Sequence, residues 1–498
     1  MYFIYFAEVM HRIQSVFILN QMRPKWNIVT TTSPSRPLFT MNDMPKPKHL
    51  PLIGTRLDFM ASGSGTKLHE YVDNRHTQLG SIFCEKLGGN TDLVFVSDPG
   101  LIRTLFMNLD GKYPAHILPD PWLLYEKLYG SKRGLLFMNG SEWLENRRIM
   151  NKHLLKEDSE SWLEVPVKTT IEKFIQRWKS KAAKGIFIPN LESEFYRLSI
   201  DVIIAVLLGS NSLLKTNRHY ETLLNMFSDS VKNIFQTTTK LYGLPVDWYQ
   251  KFNLKPWRDF KGCVDMSLLL AHKLVDEMLN CSQGSNGLLN RLIEENLTNE
   301  NIKKIVADLI IAAGDTTSYT SLWTLYLLSK NKCFKNELHS KDHAYMKYVV
   351  KESMRLYPVA PFLTRILPKE SVLGSYILHE GFFQTPIIAS IYTSGRDEQN
   401  FSKANEFLPY RWDRNDPRRK HLKNHVSSAS LPFALGARSC VGKKLAMLQI
   451  TELLTQIVDN FDFKCLDNDE VTPITSQVLV PNKNVKLVFT FRNPDNKV

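Results

Sequence analysis

A single cysteine near the carboxyl end lies in the segment LPFALGARSCVGKKLA, residues 431–446. Gly436 and Gly442 flank Cys440, and glycines permit tight turns and a close approach of the backbone to a bulky group. Arg438 adds a positive charge that lowers the pKa of a nearby thiol. A helical pattern follows Gly442, and the dipole at a helix N-terminus also favours an anion. The segment therefore predicts an anionic sulfur.

Three kinds of site could use such a sulfur. A nucleophilic cysteine needs a partner histidine, and a zinc site needs three further ligands. Neither is offered by the residues around Cys440. A single thiolate with cationic residues nearby fits haem, whose iron takes an axial cysteine and whose propionates bind arginine. The remaining alternative is a small structural cysteine without any ligand.

A second chemical signal is the sequence AAGDTT in the middle of a long helical pattern at 299–330. One face of that pattern carries Ile305, Leu309, Ala313 and Thr316, which would be an ordinary core stripe in many proteins. Gly314, however, costs about 1 kcal/mol relative to alanine inside a helix. A groove that opens over a flat cofactor would explain this weakened turn.

The elements that must position these residues are mostly helical. Long amphipathic patterns cover 163–182, 191–209 and 299–330, and strand patterns cover 92–99, 375–390 and 485–491. The chain has 498 residues, of which 43% are hydrophobic and 23% charged, and no internal linker is visible. The sequence therefore predicts a mainly α fold with small β-sheets, built as one large unit.

Charge and cysteine content restrict the possible partners. The net charge of +13 suits nucleic acid, anionic lipid or an acidic protein. No nucleic-acid motif and no basic run with interleaved aromatic residues is present, so nucleic acid is set aside. The six cysteines are scattered without CxxC spacing, which favours a reducing compartment over a disulfide scaffold.

The first 45 residues have the composition of a mitochondrial transit peptide and linker. No acidic residue occurs from Val9 to Asn42, whereas basic and hydroxylated residues are frequent. Charged residues such as Glu8 and Arg12 interrupt the apolar stretch, so a spanning helix is not predicted. A disordered basic tail is the alternative. Residues 46–498 are predicted to form a single catalytic domain.

Six positions around the cysteine match the signature F-x-x-G-x-R-x-C-x-G-x-x-x-A of the cytochromes P450. They are Phe433, Gly436, Arg438, Cys440, Gly442 and Ala446. The chain thus resembles this family, and the resemblance implies the cytochrome P450 fold. It also implies that haem b lies between the long central helix and the cysteine loop, with Cys440 as the axial ligand of the iron.

Other motifs extend the resemblance. Trp143 and Arg147 of WLENR, together with Arg365 of PFLTRI, resemble the family's partners of the haem propionates. Glu352 and Arg355 of KESMR are spaced to form an ion pair on a helix. In the family this pair is buried with a later arginine, here Arg411, whose preceding residue is tyrosine instead of the usual glutamate.

In the central helix, Ala313 replaces a glycine of the family pattern. The resemblance implies that Thr316 orients dioxygen and that Asp315 relays protons from solvent. This pair favours a monooxygenase. A haem-binding protein without catalytic activity is the alternative from another functional class.

The transit-peptide composition resembles that of mitochondrial family members, which take electrons from a small acidic ferredoxin and its NADPH reductase. Lys347 and Lys351 match the basic pair that meets ferredoxin, and Lys443 and Lys444 add positive charge beside the cysteine. An ordinary solvated lysine face is the alternative. The resemblance also implies a peripheral location on the matrix side of the inner membrane.

Four longer segments resemble the insect mitochondrial ecdysteroid 2-hydroxylases, within a similarity that runs from about Leu50 to the carboxyl end. The segments cover 50–89, 134–155, 308–319 and 351–368. The implied reaction is the 2-hydroxylation of the steroid 2-deoxyecdysone to ecdysone. Another steroid position, or foreign compounds, are the alternatives for a mitochondrial member of this family.

Overall fold

The computed structural model of the chain describes residues 38–50, 54–87, 91–130, 133–209, 218–242, 245–281, 286–338, 341, 343–378 and 385–492. The predicted transit peptide lies outside these residues as far as residue 37. The described residues from Phe39 onwards belong to one compact unit. The strand Phe39–Thr40 pairs with Tyr376–Leu378, so the folded unit begins before the predicted boundary at residue 46.

Helices make up most of the described chain, as predicted. In chain order they are α1 (Arg56–Ala61), α2 (Leu68–Leu79), α3 (Pro99–Thr104), α4 (Asp120–Tyr129), α5 (Gly140–Leu154), α6 (Ser159–Ala182), α7 (Leu191–Leu208), α8 (Arg218–Thr239), α9 (Val246–Lys251), α10 (Lys255–Cys281), α11 (Leu288–Glu294), α12 (Asn299–Lys330), α13 (Lys332–Glu337), α14 (Met346–Leu356), α15 (Ile391–Arg396) and α16 (Lys443–Asn460). A π-helical turn, Leu105–Leu109, follows α3.

The strands form small sheets. They are β1 (Phe39–Thr40), β2 (Ile82–Glu85), β3 (Leu93–Val96), β4 (Phe362–Ile366), β5 (Ser371–Leu373), β6 (Tyr376–Leu378), β7 (Pro386–Ser390), β8 (Phe461–Cys465), β9 (Pro473–Ser476), β10 (Val478–Pro481) and β11 (Leu487–Phe491). The largest described sheet has the order β2-β3-β7-β4, in which only the β3–β7 pair is parallel. The others have the orders β1-β6-β5, β10-β9 and β11-β8.

The central helix α12 has the predicted bounds. It begins after Thr298, whose hydroxyl oxygen accepts a hydrogen bond from the N–H of Asn301 at 3.2 Å, as expected of an N-cap. Towards its other end, Trp323 stacks on Tyr357 with ring centroids 4.1 Å apart and donates to the carbonyl of Leu479. These contacts fix α12 against α14 and β10.

The helix that follows the cysteine loop is held by contacts with other helices. α16 packs against α6, α12 and α14, and its buried face includes Leu445, Ile450 and Leu454. The cysteine loop therefore enters a helix that is held on several sides. Within the described part of the chain, no helix is both long enough and apolar enough to cross a bilayer.

The predicted weakening at AAGDTT does not break the helix, because α12 continues through this segment. The hydroxyl of Thr316 donates to the carbonyl of Ala312 at 2.7 Å, one turn earlier. Gly314 is required by packing: a Cβ at this position would lie 2.6 Å from Cε2 of Tyr196 on α7. The glycine therefore allows α7 to approach α12 closely, and it does not open a groove.

Replacement of Gly314 by alanine tests this explanation. Better helix propensity alone would stabilise the protein by about 1 kcal/mol. Overpacking against Tyr196 should outweigh that gain, with a net loss of about 1–2 kcal/mol. We expect a lower midpoint of thermal unfolding at a fixed scan rate.

Gly262→Ala is the matched control, because Gly262 lies inside α10 and a Cβ there would meet no atom within 4 Å. This variant should be as stable as the parent protein or slightly more stable. Equal stabilisation by both substitutions would show that Tyr196 moves aside easily and that its contact does not require glycine.

Candidate haem site

The cysteine loop is a tight turn held by its own backbone. The N–H of Cys440 donates to the carbonyl of Phe433 at 2.8 Å. Ala434 and Gly436 have positive φ angles of 57° and 75°. A Cβ on Gly436 would lie 2.3 Å from the carbonyl oxygen of Phe106, so only glycine lets this loop contact the π-helical turn.

The sulfur of Cys440 lines a cleft. Its residue is exposed to solvent, yet burial among protein atoms raises the pKa of the thiol. The N–H of Gly442 and the charges of Arg147 and Lys443 oppose this rise without cancelling it. In the protein without its cofactor, burial therefore outweighs the groups that favour the thiolate. A bound metal ion would deprotonate the thiol outright.

Arg438 does not act on the sulfur as predicted. Its guanidinium donates to the carbonyl oxygens of Pro114 at 2.6 Å and Met138 at 2.7 Å. It also lies over the ring of Trp143, 4.4 Å from the centroid. Burial, followed by the charges of Arg365 and Arg147, lowers the pKa of Arg438 to about 10. The three arginines are thus close enough to repel one another.

Two of these arginines keep unused donors. Arg147 donates to the carbonyl of Ser439 at 2.6 Å, but its Nε has no described partner. Arg365 donates through Nε to Asp110 and through Nη1 to the carbonyl of Thr364, whereas its Nη2 has no described partner. Buried donors of this kind call for an acceptor.

His116 is a further member of the site that no sequence motif marked. Both of its ring nitrogens are buried without a described hydrogen-bond partner. Burial, followed by the charges of Arg438 and Arg365, lowers the pKa of His116 to about 3. The imidazole is therefore neutral at physiological pH and offers one N–H donor.

These observations fit haem b. Its two propionates would accept from the unused nitrogens of Arg147, Arg365 and His116, and Arg438 would add a third positive charge. Trp143, which is 1% exposed, would pack beside the propionates. The accessible sulfur of Cys440 is the group that would bind the iron.

The remaining residues of the signature lie beside this sulfur. Phe433 is half-buried below the amino group of Lys443, which lies 6.0 Å from its ring centroid. Ala446 donates its N–H to the carbonyl of Gly442 at 2.8 Å in the first turn of α16. A Cβ on Gly442 would make only an ordinary contact of 3.9 Å with the sulfur. The protein alone therefore does not require glycine at position 442.

The predicted catalytic pair occupies two sides of α12. Thr316 and Ala313 are half-buried and Ala312 is exposed, although most of this helix is buried. This accessible strip identifies the face that lines an opening. Asp315 is buried, and its charge adds to the burial that raises the pKa of Tyr196 on α7. The carboxylate therefore lies near Tyr196, beside the strip.

A short segment, residues 133–139, connects α12 with the cysteine loop. Asp308 of α12 accepts from Nε of Arg133 at 2.6 Å and from the N–H of Leu136 at 3.1 Å. At the other end of the segment, Met138 and Asn139 accept from Arg438. Sequence reasoning missed Arg133 and Asp308, because a distant buried ion pair leaves no local pattern.

Glu352, Arg355 and Arg411 come together as predicted, in a fully buried cluster. Nε of Arg355 and Nε of Arg411 each donate to the carboxylate of Glu352 at 2.9 Å. Burial raises the pKa of Glu352, but both guanidiniums outweigh it and hold the pKa below its usual value. Leu408 and Trp412 also donate to this carboxylate, so tyrosine at position 410 leaves the cluster complete.

Three of the four predicted partner lysines form one exposed group. Burial, followed by the charges of Lys443 and Lys347, lowers the pKa of Lys351, which shows that the three lie close together. Lys444 is engaged elsewhere: its amino group donates to the carbonyl of Lys156 at 2.6 Å and lies 3.9 Å from Glu160. The three-lysine patch is thus Lys347, Lys351 and Lys443.

Comparison with known proteins identifies the same family as the cysteine motif. The family model "Cytochrome P450" matches residues 44–489. "Cytochrome P450 315a1, mitochondrial" of Drosophila melanogaster is 36% identical over 468 residues, which cover 90% of this chain and 88% of the relative.

Two vertebrate relatives are more distant. "1,25-dihydroxyvitamin D(3) 24-hydroxylase, mitochondrial" of Rattus norvegicus is 28% identical, with 90% of this chain and 89% of the relative covered. "Cholesterol side-chain cleavage enzyme, mitochondrial" of Ovis aries is 26% identical, with 86% of each covered. With the family model matched over nearly the whole folded unit, this chain belongs to the cytochrome P450 family of haem-thiolate monooxygenases.

Proposed function

We propose that this monooxygenase is a mitochondrial steroid hydroxylase that converts 2-deoxyecdysone into ecdysone. The observation that carries the proposal is the 36% identity to cytochrome P450 315a1 of Drosophila melanogaster over 90% of this chain. The resemblance of residues 50–89, 134–155, 308–319 and 351–368 to insect ecdysteroid 2-hydroxylases suggests the reaction. The vitamin D and cholesterol enzymes among the relatives support a substrate of the steroid class. The mitochondrial relatives support the same location for this protein.

The reaction inserts one oxygen atom of O₂ into a C–H bond and reduces the other to water, with two electrons and two protons. Bound haem supplies the activation of dioxygen. Thr316 would hold a proton at Oγ1, which the structure shows bonded to the carbonyl of Ala312, and would present it to the accessible strip. Asp315 would relay a proton from solvent to replace the one that Thr316 gives up, since a carboxyl group exchanges protons readily.

The walls around this strip favour a dry site. Ile305 is fully buried in the core, whereas Leu309 and Ala313 are half-buried and accessible on the same helix. Such apolar side chains accommodate a steroid nucleus and limit the access of water, which would otherwise divert protons and oxygen into peroxide. The protein thus contributes orientation, proton delivery and exclusion of solvent.

An acidic ferredoxin with its NADPH reductase is the proposed electron donor. Lys347, Lys351 and Lys443 are exposed, and they have no acidic partner within 4.0 Å among the described residues. The charge of Lys443 also acts on the thiol of Cys440. A partner that docks on this patch would therefore meet the side of the site that carries the axial ligand.

Peripheral membrane association is proposed for another surface. Trp248, Phe252 and Leu254 are 43%, 64% and 36% exposed around the end of α9. Lys251 and Arg258 are exposed beside them. Aromatic and apolar side chains flanked by cations suit the interface of an anionic membrane.

Turnover of 2-deoxyecdysone with mitochondrial ferredoxin, ferredoxin reductase and NADPH tests the proposed function. We expect ecdysone as the main product, identified by mass spectrometry against the authentic steroid. Cys440→Ala should lose the red-shifted absorption band that the ferrous carbonyl complex shows with a thiolate ligand. Hydroxylation at another carbon, or turnover of foreign compounds alone, would contradict the assignment of the substrate.

Thr316→Ala tests proton delivery in the same assay. We expect several-fold less ecdysone for each NADPH consumed and correspondingly more hydrogen peroxide, with the haem spectrum unchanged. Thr324→Ala is the matched control, because its hydroxyl makes the same type of bond, to the carbonyl of Thr320 at 2.7 Å, at a fully buried position of α12. Equal coupling in the two variants would rule out the role of Thr316.

The double charge reversal K347E/K351E tests the ferredoxin surface. Exposed ion pairs contribute up to about 1 kcal/mol each, so we expect about a tenfold higher ferredoxin concentration at half-maximal turnover in low salt. The difference should shrink in high salt, because the Debye length falls to about 3 Å at 1 M.

K173E/K184E, at two exposed lysines on α6 and just beyond it, makes the same change in net charge away from this patch. It should leave the ferredoxin dependence close to that of the parent protein. Lys444→Glu should have a smaller effect than either single reversal in the three-lysine patch. An equal rise in the required ferredoxin concentration for both double variants would show that the net charge of the protein, and not the three-lysine patch, determines ferredoxin binding.

Phe252→Asp tests the membrane surface. We expect the parent protein to float with vesicles that contain cardiolipin and the variant to float less, because the aspartate is repelled by an anionic surface. Leu466→Asp, at a residue 43% exposed after β8, is the control. Undiminished flotation of Phe252→Asp would place the membrane contact elsewhere.

A further inference from the structure

The positive charge of the candidate haem site exceeds that of its expected ligand. Arg147, Arg365 and Arg438 contribute three guanidiniums, and arginine remains charged in proteins. His116 is neutral. Two propionates would balance only two of the three charges. A third negative charge is therefore needed if the buried set is to be neutral.

Asp110 supplies a carboxylate at this place. It is 6% exposed, and its two oxygens lie 2.7 and 2.9 Å from Nε of Arg365. Burial raises the pKa of Asp110 above its usual value, and Arg365 and then Arg438 reduce that rise without cancelling it. The residue is the one carboxylate that the described part of the chain places within ion-pair distance of these three arginines.

Asp110 lies where the π-helical turn, the cysteine loop and β4 meet. It follows the π-helical turn, whose Phe106 lies under the guanidinium of Arg365 at 4.3 Å from the ring centroid. A Cβ on Gly436 would lie 3.6 Å from Oδ2 of Asp110. The carboxylate is thus held between the cysteine loop and β4, and Arg365 has little freedom to turn away.

We propose that Asp110 is a positioning residue for the cofactor: it orients Arg365 and completes the charge balance of three guanidiniums with two haem propionates. The inference rests on the proposed assignment of these arginines to the propionates. The ferric haem-thiolate core is itself neutral, since Fe³⁺ is offset by the porphyrin dianion and one thiolate. Asp110 then makes the group of three guanidiniums and two propionates neutral as well.

This role has an electrostatic consequence with a definite sign. One-electron reduction makes the haem-thiolate core negative, so excess positive charge nearby favours the ferrous form. Loss of the Asp110 carboxylate leaves one positive charge uncompensated. Loss of the Arg365 guanidinium leaves one negative charge uncompensated and should have the opposite effect.

Spectroelectrochemical titration of the haem-loaded protein measures these shifts. For Asp110→Asn we expect the ratio of ferrous to ferric protein at a fixed potential to rise about tenfold, or about 59 mV. Arg365→Gln should lower the ratio by a similar factor. The double variant should return close to the parent value, which a merely structural defect would not do.

Two further variants are controls for the redox titration. Asp110→Glu keeps the charge, so its potential should stay near that of the parent protein even if its stability falls. Glu300→Gln removes a carboxylate that is 76% exposed at the start of α12 and should leave the potential unchanged. An unchanged potential in Asp110→Asn, or shifts of the same sign in both single variants, would overturn the proposal.

Haem binding by the cofactor-free protein separates this inference from the proposed assignment of the arginines. The parent protein should prefer hemin to hemin dimethyl ester, whose propionates carry no charge. Asp110→Asn should retain that preference, because its arginines remain. No preference in the parent protein would refute the propionate assignment itself, whereas a preserved preference with an unshifted potential in Asp110→Asn would refute only the role of Asp110.

Discussion

The burial of several guanidiniums around one short loop is the constraint on which the site depends. Arg147, Arg365 and Arg438 reach this loop from α5, β4 and the loop itself, and each is held by backbone carbonyls or a carboxylate. Like charges at such a place are costly without anions. The helices and the small sheet around them are therefore arranged to present donors to a dianionic ligand, and the buried cluster of Glu352 stabilises the segment that leads to the loop.

Much of this arrangement could be predicted from local sequence. The bounds of α12 and α7 follow from hydrophobic periodicity to within one residue, because both helices are long and have clear ends. The cysteine loop and the Glu352 cluster are short motifs with fixed spacing, and such motifs survive without knowledge of the tertiary structure. The monooxygenase chemistry follows from the same motifs and is confirmed by the family match.

Tertiary contacts account for what sequence reasoning missed or misread. The sequence around Gly314 suggests an opening for a cofactor, whereas in the structure the ring of Tyr196 on another helix requires the glycine. Lys444 is near Lys443 in sequence, but one step along a helix turns its side chain towards α6 and Glu160. His116, Arg133 and Asp308 acquire their roles only when distant segments meet, so no spacing rule marks them.

The segment at 133–139 also has a consequence for divergence among related enzymes. Charged side chains hold both ends of the segment: Asp308 accepts from Arg133 at one end, and Arg438 donates to Met138 at the other. Gly134 also packs closely on α12, since a Cβ there would lie 2.3 Å from the carbonyl oxygen of Lys304. Between the two ends, the side chain of Leu136 is 52% exposed and only its backbone is bound. Mutation can therefore alter this surface while both anchors persist, so the chain can vary here without disturbing the residues that would hold its cofactor.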